Sequence, residues 1–122
     1  MKREDFEKYI EQTYGAKSEY LWKSAPSFAV FRHQDNLKWF AVVMDIEKSK
    51  LGLSSSDIVS VVNLKCDTLL IDSLDRERGI FRGYHMNKLH WITVALDGSV
   101  SDEKIKWLVE ISFDETKKRG KK

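Results

Sequence analysis

Apolar residues along the chain recur at two spacings, about 3.6 positions in some segments and about 2 in others, and the alternation predicts its elements. Phe6, Tyr9, Ile10 and Tyr14 fall on one helical face, with acids ahead of them and Gly15 where a left-handed residue would close the helix. Residues 27–31, SFAVF, and 37–46, LKWFAVVMDI, flank the polar stretch HQDN and predict a hairpin. After the turn region EKSKLGLSSS, the β-branched run of DIVSVVNLK predicts a third strand. Asp67 stands at an N-cap position before TLLIDSLDRERG, where Leu70 and Leu74 mark a second helix and Gly79 its stop. IFRGYHMNK returns to extended backbone, and HWITVAL is a strand closed by the Asp97-Gly98 turn. Ser101 caps a last helix with an inward stripe of Ile105, Leu108, Val109 and Phe113. The order α-β-β-β-α-β-β-α predicts an α+β fold: a two-layer sandwich, with a mainly antiparallel twisted sheet and the helices on one face.

Strand parity assigns the two faces. Phe40, Val42, Met44 and Ile46, together with Ile58, Val62, Leu64, Ile92, Val94 and Leu96, are expected to meet the helices. Trp39, Ala41, Val43, Val61, Asn63, Lys65, Trp91, Thr93 and Ala95 are expected on the opposite face, which the prediction leaves open. Trp107 and Ile111 form a second apolar pair on the last helix, expected to contact the loop around Trp22 or a second copy of the chain.

With 122 residues, 42% of them hydrophobic, the chain fits one domain, expected over residues 1–116. Residues 117–122, with Lys117, Lys118, Arg119, Lys121 and Lys122, are expected to form a disordered basic tail. The formal charge of +2 hides an asymmetry, because residues 1–116 hold 16 basic groups against 19 acidic ones. A strongly basic nucleic-acid domain is therefore excluded outside the tail. No apolar run approaches the ~20 residues of a membrane span, and the start MKREDFEKY is charged where a signal peptide is apolar, so a cytoplasmic protein without a membrane partner is expected.

KWFAVVM, VNLKCD, and GYHMNKLHW followed by ITVALDGSV resemble the MmcQ/YjbR family of small bacterial proteins in order and spacing. Thr68 stands where that family commonly has proline, which weakens the helix start. The resemblance implies a compact two-layer fold related to secretion-chaperone-like and CyaY-like domains. It also brings a proposal of DNA binding, with no catalytic residue and no cofactor.

The candidate chemistry gathers in GYHMNKLHW. His85, Asn87, Lys88, His90 and Trp91, joined by Trp39 and Lys65 through strand parity, compose a candidate surface on which aromatic rings stack and lysines hold anions. No metal is expected: His85 and His90 are five positions apart, on opposite faces of an extended chain, without a nearby carboxylate or thiolate. Cys66 reads as a small buried hydrophobe, and no nucleophile motif, phosphate loop or paired-carboxylate pattern is present, so no catalytic residue is assigned. Two function classes follow. One is a non-enzymatic module binding DNA through the open sheet face, and the other is a protein-interaction or chaperone-like module, monomeric or dimeric, with no nucleic-acid role.

Overall fold

Helix α1 (Arg3–Tyr14) ends at Gly15, whose φ of 67° lets its N–H reach the Glu11 carbonyl at 3.0 Å. The structure is a computed structural model and describes residues 1–117. Five strands follow, β1 (Ala29–Arg32), β2 (Trp39–Glu47), β3 (Ile58–Lys65), β4 (Ile80–Arg82) and β5 (Trp91–Ala95), with a 3₁₀ turn at Lys48–Leu51. Helix α2 (Thr68–Leu74) lies between β3 and β4, and α3 (Asp102–Thr116) closes the order. The sheet runs β1-β2-β3-β5-β4 and every pair is antiparallel.

The capping residues act as the sequence predicts. The Asp67 carboxylate accepts from Leu70 N at 2.9 Å and the Ser101 hydroxyl from Lys104 N at 3.2 Å, each satisfying a donor that the first helical turn leaves free. All three helices cover one face. Phe6 and Ile10 of α1, Ile71 and Leu74 of α2, and Ile105, Leu108 and Val109 of α3 share one buried cluster with the inward strand residues. This is the expected two-layer α+β sandwich.

Strand β2 departs from the expected parity. Arg32 pairs with Trp39 and Phe31 with Ala41, so Phe40 has no partner on β1 and forms a bulge. Beyond it the faces exchange: Phe40, Ala41 and Val43 lie in the helix-side cluster, whereas Val42, Met44 and Ile46 lie on the other face with Trp39. Val62, Leu64, Ile92, Val94 and Leu96 point to the helices as expected, but Ile58, at the strand end, is 64% exposed.

The second face is not open at its centre. Val30, Val42, Met44, Val59, Val61 and Ala95 are buried there beneath Trp22, Phe28, Leu51, Phe81 and Tyr84, which arrive from loops and strand ends. Trp22 therefore sits opposite α3, and the expected contact between its loop and Trp107 does not form; Trp107 is 47% exposed. Helix α2 also stops earlier than Gly79. It ends at Leu74, and Arg76 (φ 77°) and Gly79 (φ 83°) shape a tight connection into β4. Of the tail 117–122, Lys117 lies 3.5 Å from Asp114, and the remaining residues fall outside those described.

His33, placed by sequence in a polar turn, fastens the end of α3 to the hairpin. It is 8% exposed, its Nε2 is 2.8 Å from Thr116 Oγ1, and its ring packs 4.3 Å from Phe113 and 5.2 Å from Phe40 between centroids. The Thr116 hydroxyl donates to the Ser112 carbonyl at 2.8 Å, so its oxygen is free to accept the Nε2 proton. Desolvation lowers the His33 pKa, against the opposing pull of Asp35. The folded state thus favours neutral His33, and the stability this contributes is full above the unfolded pKa of about 6.5 and declines as pH falls through that value. His33→Gln is expected to flatten this part of the thermal midpoint's pH dependence between about pH 7 and pH 5. Circular-dichroism melts of both proteins measure it, and parallel curves would remove His33 from the account.

Candidate functional site

Residues 83–90 cross the second face, and a buried polar lattice holds them there. Asn63 Nδ2 donates to the Tyr84 carbonyl at 2.8 Å, Thr93 Oγ1 donates to Asn63 Oδ1 at 2.5 Å, and Tyr84 N donates to Thr93 Oγ1 at 2.8 Å. Asn63 and Thr93 are fully buried cross-strand partners, so this lattice satisfies polar groups that would otherwise be costly inside the domain. Gly83 donates to the Trp91 carbonyl at 2.9 Å, and a Cβ there would stand 2.8 Å from Trp91 Cβ. Only glycine lets the backbone approach so closely.

Beyond Gly83 the chain bends sharply. His85 adopts φ 58°, the left-handed region that a non-glycine residue occupies at a cost, and its ring lies 4.1 Å from that of Tyr84. The Asn87 side chain accepts from Leu89 N at 2.9 Å, and its carbonyl accepts from His90 N at 3.1 Å and Trp91 N at 3.0 Å. Asn87 therefore builds the turn back into β5. Lys88 Nζ donates to the Gly83 carbonyl at 2.8 Å and closes the loop.

This loop divides two concave surfaces. On one side lies a cleft of about 200 Å³ between Trp22, Phe28 and Trp39 and the loop residues His85 and Met86, with Val42, Met44 and Asn63 also lining it. The Trp22 and Trp39 rings meet edge to face at 5.5 Å, a geometry favoured by the aromatic quadrupole. On the other side, along edge strand β4, lies a groove of about 540 Å³ that includes Lys50, Arg76, Arg78, Arg82 and Lys88 among its lining, against Asp75 and Glu77. Both acids are answered: Arg82 reaches Asp75 at 3.4 Å and Asp72 at 3.1 Å, and Lys104 pairs with Glu77. Among the described residues, Lys50, Arg76 and Arg78 have no carboxylate partner.

A family model for YjbR matches residues 11–115. The chain belongs to the YjbR family. It is 37% identical over 115 residues to the uncharacterised protein YyaQ of Bacillus subtilis, covering 94% of this chain and 98% of the relative. The uncharacterised YjbR of Escherichia coli is 34% identical over 77 residues, covering 62% of this chain and 57% of that protein. A crystal structure of a Pseudomonas syringae protein superposes with a TM-score of 0.94 at 43% identity, covering 96% of this chain and all of that one. A Deinococcus radiodurans crystal structure, 22% identical with a TM-score of 0.73, shares the fold.

The YjbR domain distributes the seven residues singled out by sequence over several places. Lys65 and Trp91 are direct cross-strand partners, both half-buried. Trp39 and His85 line the aromatic cleft, Lys88 lines the groove, and Asn87 is turn scaffold. His90 is exposed, and its carbonyl accepts from Cys66 N at 2.9 Å to extend the β3–β5 ladder. Among the described residues, no three His, Cys, Asp or Glu side chains converge on a point that a metal could occupy. The buried Cys66 thiol is pushed up to about 12, mainly by desolvation, and so stays protonated. Sequence reasoning missed Arg76, Arg78 and Lys50 in the groove, and Trp22 and Phe28 in the cleft. No helix of the described chain is long and apolar enough to cross a membrane.

Proposed function

We propose that this YjbR domain is a non-catalytic binding module for nucleic acid, held by its phosphates along the groove beside β4. The observation that carries this reading is the division of charge between the two layers. The three helices hold four basic and ten acidic residues, while the rest of residues 1–116 holds twelve basic and nine acidic, so positive charge collects on the sheet and its loops. Lys50, Arg76 and Arg78, free of carboxylate partners among the described residues, stand with Lys88 along one groove, where an anionic polymer meets attraction. The protonated Cys66 thiol and the scaffold role of Asn87 favour binding over catalysis. The DNA-binding proposal that the family resemblance brings points the same way.

Fluorescence anisotropy with a labelled single-stranded oligonucleotide tests the proposal. Four phosphate contacts predict a slope near −3 in log affinity against log salt, a loss of roughly 50- to 100-fold between about 50 and 200 mM. A flat profile would show that the oligonucleotide is held without phosphate contacts and would take the groove out of the proposal. No binding at low salt would end the nucleic-acid reading.

A further inference from the structure

The cleft between Trp22 and His85 is separated from the cationic groove by the 83–90 loop and has a different chemistry. We infer that it is a binding site for a small, uncharged aromatic molecule of one or two fused rings carrying one hydrogen-bonding substituent. Size sets the first limit. A cavity of about 150 Å³ lined by aliphatic and aromatic side chains takes up benzene, and sites for drug-sized molecules run from about 300 to 1,000 Å³. At about 200 Å³ the cleft holds one ring system and little more.

Its lining sets the class. Trp22, Phe28 and Trp39 offer ring faces and edges, and Met44 and Met86 offer polarizable thioethers that suit aromatic partners. No Lys, Arg, Asp or Glu lines it, which disfavours an ion. Asn63 lies on its floor but is fully buried, with its carboxamide bonded to Tyr84 and Thr93. The polar side chains left for a ligand are those of Ser24 and His85, both exposed at the rim, and His85 is held in the left-handed conformation by the loop around it. Strained backbone of this kind recurs at ligand-contacting positions, where the surrounding structure fixes an otherwise unfavourable geometry. A nucleic-acid base fits less well, because its hydrogen-bonding edge would enter an apolar cleft and its phosphate would lie away from the groove's cations.

Methionine methyl NMR reads the site directly, since two of the chain's three methionines line it and the third, Met1, packs on the helix side. Titration of the whole chain with p-cresol is expected to shift the Met44 and Met86 methyls saturably while Met1 stays in place. His85→Gly suits the backbone at φ 58° and keeps the loop. It is expected to weaken p-cresol about threefold to tenfold and leave toluene unchanged, as loss of one hydrogen bond predicts. Ala25→Leu, which adds bulk on the cleft wall, is expected to weaken both probes, with the Met1 signal reporting that the fold is intact. Methyls that do not move up to the probes' solubility limits, shifts shared equally by all three methionines, or undiminished binding in Ala25→Leu would overturn the site. Equal weakening of p-cresol and toluene in His85→Gly would overturn the polar part of the assignment.

Discussion

Replacing Ser112 with alanine is expected to lower the unfolding free energy by about 2 to 4 kcal/mol, since each buried polar group left without a partner costs about 1 to 3 kcal/mol. Ser112 is fully buried on α3; its hydroxyl donates to the Phe40 carbonyl at 2.6 Å and accepts from Lys65 N at 2.8 Å. Phe40 is the bulged residue of β2, and Lys65 is the last residue of β3. Both belong to places where the ladder ends or breaks, and one hydroxyl from the helix layer satisfies both. Alanine keeps the helix and removes that hydroxyl. Urea denaturation should show a lower midpoint at an unchanged slope, because the surface exposed on unfolding is nearly the same. A loss under about 1 kcal/mol would show that entering water or a relaxed backbone replaces the hydroxyl.

Ser112 also shows which parts of the fold were legible. It lies four positions after Leu108 and four before Thr116, on the inward stripe of α3, and an inward serine or threonine there signals that a buried partner must exist. What the sequence does not contain is the partner, which a bulge on another element creates. The same bulge explains the reversed faces of β2. Parity follows from strict alternation, and one unpaired residue at Phe40 inverts every assignment after it. A signal against an open second face was nevertheless present: six consecutive apolar residues, Trp39–Met44, describe a strand covered on both sides. Caps, by contrast, act within three or four residues, which is why Gly15, Asp67 and Ser101 were readable without tertiary knowledge.

The candidate site was legible to a similar degree. Trp39, Trp91 and Lys65 lie on the predicted face, and the 83–90 bend lies across it, but the cationic groove could not be read. DRERG continues the helical pattern of α2, and on a helix those arginines would disperse around the axis. The helix instead ends at Leu74, and the left-handed turn at Arg76 helps place Arg76, Arg78 and Arg82 along one groove. Where a short helix stops depends on packing that no local spacing records.

Arg76→Glu combined with Arg78→Glu is therefore expected to weaken oligonucleotide binding by roughly 100-fold or more at low salt, each unit of charge near an anionic surface being worth about 1 kcal/mol. Two attractions vanish and two repulsions replace them. Both side chains are exposed and without a carboxylate partner among the described residues, so stability should move by no more than about 0.5 kcal/mol. The salt slope should also become shallower by about one to two, since two phosphate contacts are removed. Lys65→Ala gives the contrast. Lys65 stands half-buried beside Trp91 and does not line the groove, so its removal is expected to change affinity by less than about threefold, within the range of a weak charge interaction near the surface. If the reversed pair binds like wild type while Lys65→Ala abolishes binding, the phosphates lie over the β3–β5 strand ends instead, and the groove beside β4 loses its assigned role. If both variants bind like wild type and only removal of residues 118–122 matters, the basic end of the chain is the binding element and the folded domain its carrier.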